Sequence, residues 1–546
     1  MSNLFVRKAT GLVRSWSVMD AFIYAFFSIN LVTLGLYSFS QMYYFEGGMI
    51  NALIVSAIII FFEVIVYAGL IAVMPRSGGD YVWQSRILGG AVGFILAVTG
   101  WWFILWLWVP LYGDMFRHIV LVPLLAVLGA KDTALWFAGT QTGSFVASLI
   151  TLAIVSLFIT LGMKTYAKIQ KYSFYGGVLG LLIVIVLLLT GSNEAFKAGL
   201  EANATAMFGA QPGAYDATVQ LGTDAGAATP FSGGKFAAVF LVLPYLVFFN
   251  LWPNWGATLY GEVRGATDFK RNISGMGWAL GVTTVLAMIV LFAIRKTVGW
   301  DFYVQAGAAW WNHVWYGADV ALPFWPYPAL LAAFLTTNKL VQFLVVGLMS
   351  LWWFGWCGTV FLSSTRVIFA AAFDRLLPEK VAEVDERTGT PVNALLLMVV
   401  PSILVAYLFS FNIANFASLT LCSTLVIAVT YLGTTISAII LPYTKPDLYK
   451  SSPIAKYNVL GIPLITVAGV IFGSFLVFLL YQWIFDPNAL YGIGYSINEA
   501  GVKNLPSLIY MGSMYVLATI IYFGFRAYRK KGGIDMNKVQ SEIPVE

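Results

Sequence analysis

The chain has 546 residues, of which 60% are hydrophobic and 10% are charged, and its mean hydropathy is +0.81. Soluble proteins carry charge on about a quarter of their residues, so this composition excludes a soluble globular protein and predicts a polytopic membrane protein. The net charge of +6 does not indicate binding to nucleic acid, because the basic residues follow the sides of the membrane.

Twelve apolar segments are each long enough to cross a bilayer, so the sequence predicts an all-α protein with twelve transmembrane helices. The loops are too short to hold a soluble catalytic domain, and we expect neither enzymatic activity nor a cofactor or metal site. Because the eighth segment is unusually long, we expect it to be tilted or to extend beyond the membrane. The predicted spans are 18–41, 49–74, 91–113, 145–163, 173–191, 236–260, 275–295, 339–372, 392–410, 413–441, 460–483 and 506–525.

Basic residues are distributed unequally between the two sides of these spans. With both termini on one side, 23 of the 31 Lys and Arg residues fall on that side, seven fall on the other, and Lys339 starts an outer helix. Because positive residues concentrate in cytoplasmic loops, we predict that the tails 1–17 and 526–546 are cytoplasmic. We expect the protein to lie in the cell (plasma) membrane, surrounded by lipid.

Polar residues interrupt the middle of the first span. Ser28, Asn30 and Thr33 lie between two apolar halves, and Gly35 follows them. A broken helix is one interpretation, and a polar helix face packed against a neighbouring helix is the other.

A carboxylate lies deep in the second span. Glu63 precedes Pro75 by twelve residues, or about 18 Å of helix, which places it near the middle of the membrane. A carboxylate there is costly and indicates function, and desolvation favours its protonated form, which suits a proton carrier. The alternative is a protonated or hydrogen-bonded structural glutamate between helices.

The turn after the second span reads MPRSGGDYVWQSRILGG, residues 74–90. Pro75 ends the helix, and Gly78 and Gly79 allow tight backbone bends. Arg76 holds the turn on the cytoplasmic side.

Three tryptophans are candidates for gates in the middle of the bundle. They are Trp101 in span three, Trp252 in span six and Trp356 in span eight. For Trp101 and its neighbours, packing at helical spacing against lipid or other helices is the alternative.

The two longest loops, about 192–235 and 297–335, are predicted to lie outside. Asn203 begins an Asn-Ala-Thr sequon and is a candidate glycosylation site. The second loop holds tryptophans that indicate interfacial anchors or a partial lid, namely Trp310, Trp311, Trp315 and Trp325.

The sixth span contains the string FFNLWPNWG, residues 248–256. Proline removes a backbone donor and clashes with the preceding turn, so Pro253 between Asn250 and Asn254 should break or kink the helix. A broken helix in the middle of a membrane indicates the binding site of a transporter, because freed backbone groups are tolerated only beside protein or a water-filled cavity. The alternative is a proline kink whose polar side chains face neighbouring helices.

Spans one and six are each the first of five consecutive spans. An inverted repeat of five plus five helices, about 18–191 and 236–441, is therefore the economical interpretation. The predicted transporter core is 18–441, and the last two spans, in 442–525, follow it.

Two further motifs lie on the same side as the turn after span two. Span eight ends in SSTRVIFAAAFDRLLP, residues 363–378, and span six ends in GEVR, residues 261–264. Together the three strings resemble the signatures of the amino acid–polyamine–organocation (APC) superfamily, in the family's span order. The matching positions are Pro75, Arg76, Ser77, Gly78, Gly79, Tyr81, Glu262, Arg366, Asp374 and Pro378.

The resemblance implies a LeuT-type fold with discontinuous helices one and six, and a secondary transporter, most often of amino acids. In such proteins the unwound backbone of both helices meets the carboxylate and ammonium of the substrate, which half-helix dipoles favour. The implied substrate-binding residues are Ser28, Asn30, Leu31, Val32, Thr33, Phe249, Asn250, Trp252, Pro253 and Asn254.

This sequence lacks the residues that two coupling mechanisms of similar proteins require. Some proton-coupled relatives carry a lysine in helix five, but residues 176–183 contain none. Sodium-coupled relatives use paired hydroxyls in the middle of helix eight. Here residues 352–356 are apolar, and the first hydroxyl side chain after them is that of Thr359. Proton symport, with Glu63 as the carrier, and substrate exchange both remain.

The sequence thus predicts a secondary active transporter of amino acids or close analogues that works by alternating access. Another small organic cation, such as a polyamine, is the alternative substrate, and it ranks lower because no buried acidic pair is visible. A membrane receptor or channel is the alternative from another class, and it would need a soluble domain or polar stripes on several helices.

Overall fold

The computed structural model describes residue 12 and residues 14–413, 416, 419–485 and 505–543. Within these ranges twelve helices are long and apolar enough to cross a membrane, which confirms the predicted all-α class. The spans are Val18–Gln41, Met49–Val73, Gly90–Val127, Gln141–Thr160, Met163–Thr190, Phe236–Glu262, Phe269–Thr297, Lys339–Phe373, Val392–Ser410, Leu419–Thr444, Leu464–Phe485 and Leu505–Lys531. We number them spans 1 to 12.

Shorter elements connect the spans. The helices are Asp80–Ile87, Lys131–Gly139, Asn193–Phe208, Ala214–Asp224, Trp300–Tyr316, Pro328–Ala333, Glu379–Ala382, Pro446–Lys450, Pro453–Lys456 and Met536–Ser541. A two-residue hairpin, Asn458–Val459 paired with Ile462–Pro463, precedes span 11. Span 11 packs against spans 2 and 10, and span 12 packs against the start of span 3.

Spans 1 and 6 are discontinuous, as predicted. Span 1 consists of the helix Val18–Ile29, a wide π-helical turn Leu31–Gly35 and the helix Leu36–Gln41. Between the first two pieces Asn30 has φ 43° and ψ 91°, outside the helical region. Span 6 consists of the helix Phe236–Asn250 and the 3₁₀ helix Trp255–Glu262, separated by residues 251–254.

Spans 3 and 8 are irregular as well. Span 8, which we expected to be tilted or to extend beyond the membrane, is instead interrupted between the helices Lys339–Trp356 and Thr359–Phe373. Span 3 contains the pieces Gly90–Val98, Thr99–Phe103, Ile104–Leu107, Trp108–Phe116, Arg117–Leu121 and Val122–Val127, with π-helical geometry at 99–103 and 117–121 and a 3₁₀ helix at 104–107.

The predicted end of span 3 at residue 113 is wrong, because the helix continues to Val127. Two charged residues follow residue 113, but they neutralise each other inside the bundle. The guanidinium Nε of Arg117 lies 2.7 Å from Oδ1 of Asp114, and the Tyr37 hydroxyl donates to the same carboxylate at 3.1 Å. A paired charge is tolerated where a single one would end a span.

One end of the bundle, which we call the terminal face, carries the three sequence motifs. The loop 74–79 reaches across to span 6, where the Gly78 N–H donates to the Thr258 carbonyl at 2.8 Å. Gly78 has φ +97°, and a Cβ there would lie 2.5 Å from the Cβ of Ala370 in span 8. The Tyr81 hydroxyl donates to Asp374 at 2.8 Å. Glycine is therefore required where the loop wedges between spans 6 and 8.

The termini belong to the same face. The Trp16 N–H donates to the Glu262 carbonyl at 3.1 Å, and the Arg264 N–H donates to the Trp16 carbonyl at 2.9 Å. At the other end of the chain, Arg86 donates to the backbone carbonyl of Glu542 at 3.1 Å. Both ends of the described chain thus pack on the loops that follow even-numbered spans.

The opposite end, which we call the cap face, holds the helices Asn193–Phe208, Ala214–Asp224 and Trp300–Tyr316. Asn203 is 8% exposed there, and its amide donates to the carbonyls of Gly199 at 2.8 Å and Phe334 at 3.3 Å. An amide nitrogen held in this way is not available to a glycan. The structure therefore argues against the predicted glycosylation of Asn203, and the reason is that the sequon lies on the inner side of a packed helix.

Candidate functional site

Asn30 organises the break in span 1. Its Oδ1 accepts the Thr33 N–H at 2.8 Å, and its Nδ2 donates to the Trp352 carbonyl of span 8 at 3.0 Å. Leu31 and Val32 begin the second half-helix, whose first N–H groups have no acceptor within a helix. The Thr33 hydroxyl is buried without a hydrogen-bond partner. Ser28 has a different role, because its hydroxyl bonds to the Tyr24 carbonyl one turn back.

Trp252 and two asparagines organise the break in span 6. The Trp252 indole folds back and donates to the Phe248 carbonyl at 2.7 Å, which satisfies one acceptor at the end of the first half-helix. The Oδ1 of Asn250 accepts from the Ser56 hydroxyl of span 2 at 2.9 Å, and the Oδ1 of Asn254 accepts from the Tyr431 hydroxyl of span 10 at 3.1 Å. The Nδ2 atoms of both asparagines are buried without a partner.

The two breaks approach each other through apolar contacts. Phe249 packs edge-on against Phe39 with ring centroids 5.2 Å apart, and a Cβ at Gly35 would lie 2.9 Å from the Phe249 ring. Pro253 lies in the non-helical turn that follows Trp252. All ten predicted substrate-binding residues are buried. The described contacts join Asn30 to span 8, and Asn250 and Asn254 to spans 2 and 10.

The break in span 8 adds a third discontinuity, which the sequence analysis missed. At this break the Thr359 carbonyl accepts from the Tyr24 hydroxyl at 2.8 Å and from the Trp255 indole at 3.2 Å. The Ser363 hydroxyl donates to the Trp255 carbonyl at 3.0 Å. Spans 1, 6 and 8 are thus tied together beside the break in span 8. The glycine at position 358, next to the break, was the available sequence signal.

The predicted gate tryptophans separate into two groups. Trp101 and Trp252 belong to one cluster, in which Trp101 packs on Trp255 with centroids 4.7 Å apart and Trp252 packs edge-on against Trp108 at 5.0 Å. Trp356 instead stacks on Tyr112, at 3.5 Å. The first cluster borders the break in span 6, and Trp356 borders the break in span 8.

Two buried ion pairs close the terminal face. Arg366 donates to both carboxylate oxygens of Glu262, at 2.7 and 3.2 Å, and joins the ends of spans 8 and 6. Arg86 contacts Asp374 at 2.6 Å. Among the remaining motif residues, Arg76 donates to the carbonyl of Pro75, Ser77 is buried, Gly79 packs on span 6, and Pro378 precedes a short helix.

The cap face is closed by aromatic residues from the loop before span 8. The Ser40 hydroxyl at the end of span 1 accepts from the indoles of Trp311 and Trp325, each at 3.0 Å. The Tyr37 ring packs against both, with centroid distances of 5.0 and 5.7 Å. Trp310 is buried beside His118, and Trp315 is the exposed member of the four.

Glu63 is fully buried, and neither carboxylate oxygen has a hydrogen-bond partner among the residues that the structure describes. A second buried carboxylate, Asp80, accepts a hydrogen bond at 2.7 Å from the hydroxyl of Tyr67, which lies one turn along span 2 from Glu63. The expectation that no buried acidic pair exists is therefore wrong. Asp80 lies inside the motif after span 2, and its distance from Glu63 along the chain concealed their proximity in the fold.

No cluster of three or more His, Cys, Asp or Glu side chains in the described part of the chain is arranged to hold a metal ion. The polar groups at the breaks are amides, hydroxyls and indoles. Such groups can hydrogen-bond a polar organic solute.

Comparison with known proteins gives one match that covers most of the chain. The model of a family described as amino acid permease matches residues 20–518, from span 1 into span 12. No curated protein matches the chain.

Proposed function

Because the chain belongs to the amino acid permease family of the APC superfamily, we propose that it is a secondary active transporter that moves an amino acid or close analogue by alternating access. Family membership supports amino acid transport across a membrane. The mechanism, the binding residues and the coupling are our proposal.

The observation that carries the proposal is a set of buried polar atoms at the two breaks that have no hydrogen-bond partner in the described part of the chain. They are the Nδ2 atoms of Asn250 and Asn254 and the hydroxyl of Thr33. Buried polar groups are nearly always hydrogen-bonded, so a group left open in a closed site indicates a ligand that completes it. Three donors fit the carboxylate of an amino acid, and carbonyls freed at a helix break fit its ammonium group.

The binding site that we propose contains Ser28, Asn30, Leu31, Val32, Thr33, Phe249, Asn250, Trp252, Pro253 and Asn254, with Trp101, Trp252 and Trp356 as gates. The half-helix beginning at Leu31 supplies N–H groups, and Trp252 limits the size of the side chain that fits. Alternating access would open the terminal face by separating Glu262 from Arg366, and the cap face by releasing Trp311 and Trp325 from Ser40.

The membrane arrangement is also a proposal. We place the terminal face in the cytoplasm of the cell, because the basic residues concentrate in the tails and loops at that face. Spans 1 to 10, within residues 18–441, form the transport core as two inverted repeats, and the last two spans pack beside it. Lipid surrounds the bundle.

We further propose that the protein works as a proton symporter, with Glu63 as the proton carrier. A buried carboxylate with no hydrogen-bond donor is stable only when protonated, so transport that exposes it to water allows it to exchange a proton. Substrate exchange without protons is the alternative mechanism.

The buried pair of Glu63 and Asp80 favours a second candidate substrate, a small organic cation such as a polyamine. Two carboxylates would attract its ammonium groups, and nearby aromatic rings such as that of Tyr431 would add cation–π contacts. This candidate shares the fold and differs only in the solute.

Uptake into vesicles tests both candidates. The purified full-length chain would be reconstituted and offered labelled L-leucine, L-alanine, L-arginine, L-glutamate and putrescine, with and without an inward proton gradient. Saturable, gradient-stimulated uptake of an amino acid supports the proposal, and saturable uptake of putrescine alone supports the second candidate. Uptake that rises linearly with solute concentration would indicate a channel and overturn both, as would no uptake beyond that of empty vesicles.

A further inference from the structure

One face of span 2 carries a line of polar side chains toward span 6. Ser56, Glu63 and Tyr67 are spaced by seven and four residues, which places them on the same side of a helix. Ser56 bonds to Asn250 at the break of span 6, at 2.9 Å. Glu63 lies two turns further along, fully buried and with both oxygens free of hydrogen bonds.

The line continues outside span 2 to Asp80, at the start of the helix Asp80–Ile87. Oδ1 of Asp80 accepts from the Tyr67 hydroxyl at 2.7 Å and from the Thr434 hydroxyl of span 10 at 2.6 Å. Among the described residues Oδ2 of Asp80 makes no hydrogen bond of ordinary geometry, and the indole of Trp101 in span 3 lies close to the carboxylate. Burial raises the pKa of Asp80 to about 6, although the hydroxyls of Thr434 and Tyr67 oppose that rise.

The described groups that surround the pair carry no positive charge. The charged group whose field reaches Glu63 is Asp80, and the titratable neighbours are the phenols of Tyr67 in span 2 and Tyr431 in span 10. From span 6 the neutral amide of Asn254 accepts from the Tyr431 hydroxyl. On the helix 80–87 itself, Tyr81 and Arg86 are directed to Asp374 instead. Ionising both carboxyl groups of a buried site that holds no cation costs a large free energy, because the two negative charges repel each other. The site therefore needs one positive charge.

Tyr431 connects the pair to the proposed binding site. Its ring packs edge-on against Tyr67 with centroids 5.7 Å apart, and its hydroxyl donates to Asn254 at 3.1 Å. A change of charge on the carboxylates therefore acts on the residue that holds Asn254. Conversely, a solute that draws Asn254 away from Tyr431 changes the surroundings of both carboxylates.

We propose that Glu63 and Asp80 form one coupled site that carries a single proton, and that this shared proton is the ion coupled to transport. The inference rests on the proposed transport function and adds Asp80 as the second member of the proton site. In the closed conformation one carboxyl group is protonated and the other is ionised. When the terminal face opens, water reaches Asp80. The protonated carboxyl group of the pair then transfers its proton to water and becomes a carboxylate.

Infrared spectroscopy of the purified full-length chain tests the pair without any substrate. A buried protonated carboxyl group has a separate carbonyl stretch, and its intensity would be followed from about pH 4 to about pH 9, a range that brackets ordinary and raised carboxyl pKa values. In the wild type we expect a band that persists well above the pH at which ordinary carboxyl groups ionise. In Asp80→Asn and in Glu63→Gln the remaining carboxyl group loses its negative neighbour, so its band should disappear at a lower pH.

Two results would overturn the proposal that the carboxyl groups share a proton. One is a band in Asp80→Asn with the wild-type midpoint, which would show that the two groups titrate independently. The other is loss of the wild-type band when sodium, potassium or putrescine is added at constant pH, which would show that the site takes a cation instead. Asp447→Asn, at an exposed carboxylate on the helix Pro446–Lys450, is the matched control and should leave the midpoint unchanged.

Transport measurements then test the coupling. With the amino acid that gives the highest wild-type uptake, Asp80→Asn should reduce gradient-driven uptake to the level seen without a gradient, and should retain exchange of internal for external amino acid. Full gradient stimulation in Asp80→Asn would overturn Asp80 as a coupling residue. If the wild type moves no amino acid, the proposed function fails, while the infrared titration still decides whether the carboxyl groups share a proton.

Discussion

The Arg366 guanidinium and the Glu262 carboxylate are joined by two hydrogen bonds, Nε to Oε1 at 2.7 Å and Nη2 to Oε2 at 3.2 Å. The side chains are 0% and 2% exposed. A bidentate pair of this kind fixes orientation as well as distance, so the end of span 8 is held against the end of span 6. Any motion that opens the terminal face between these spans must separate the two groups.

Glu262→Gln should destabilise the protein strongly. It leaves the Arg366 guanidinium buried without a counter-charge, for which the cost is about 3–5 kcal/mol. The double variant Glu262→Gln/Arg366→Met removes both charges and should recover part of the loss. The melting temperature of the detergent-purified chain, followed by size-exclusion chromatography after heating, measures both effects. A double variant as unstable as Glu262→Gln would show that the ion pair itself, rather than the unpaired charge, dominates.

Gly78→Ala should abolish folded protein. The new Cβ would lie 2.5 Å from the Cβ of Ala370, in addition to the strain of a side chain at φ +97°. Gly129→Ala is the matched control, because Gly129 has φ +83° and open space around it, so it carries the strain alone, about 1–2 kcal/mol. We expect monodisperse protein for Gly129→Ala and little or none for Gly78→Ala. Equal yields would show that the loop 74–79 can move away from span 8.

The number and class of the spans could be predicted because the membrane imposes length and apolarity on each helix. The breaks in spans 1 and 6 could be predicted because Asn30 and Pro253 interrupt an apolar run. The end of span 3 could not, because hydropathy treats Asp114 as exposed and does not show that Arg117 pairs with it. The break at residues 357–358 was missed because glycine in a helix is only weakly disfavoured.

At the candidate site, the burial of a residue could be predicted and its partners could not. Counting residues from Pro75 predicts that Glu63 lies deep in span 2, and the structure buries its side chain fully. Its neighbour Asp80 belongs to a different helix, and only the fold brings the two together. The partners of Asn250 and Asn254, on spans 2 and 10, depend on tertiary packing in the same way.

Asn254→Ala should weaken substrate binding in a protein that still folds, although the Tyr431 hydroxyl loses its acceptor. It removes a buried Nδ2 that has no hydrogen-bond partner among the described residues and that we assign to the substrate carboxylate. A hydrogen bond to a charged group contributes about 1.5–3 kcal/mol, so the KM for uptake should rise about tenfold or more. Asn458→Ala, at an exposed asparagine of the short hairpin, should leave KM unchanged. An unaltered KM in Asn254→Ala would remove this residue from the site.

Asp80 should make stability depend on pH in a defined window. Its pKa is raised from the ordinary 3.8 to about 6, so the folded chain holds this proton more tightly than the unfolded chain. The resulting stabilisation is complete below about pH 3.8 and is lost as the pH rises through about 6, and the gap corresponds to about 3 kcal/mol. The melting temperature of the wild type should therefore fall relative to that of Asp80→Asn between these values, whereas Asp447→Asn should follow the wild type. Parallel curves for the wild type and Asp80→Asn would contradict the raised pKa.

Ser40→Val should loosen the cap face. One hydroxyl accepts from two buried indoles, Trp311 and Trp325, so valine of similar size leaves two N–H groups unpaired at about 1–3 kcal/mol each. The segment 300–327 should then open more often, and hydrogen–deuterium exchange of its backbone amides should speed up, while exchange in the helix Phe269–Thr297 stays slow. Ser474→Val is the matched control, because Ser474 is exposed on span 11 and bonds only to the Val470 carbonyl of its own helix. Equal exchange rates in 300–327 for the wild type and Ser40→Val would contradict this prediction. Packing on Tyr37 would then hold the two tryptophans in place without the hydrogen bonds to Ser40.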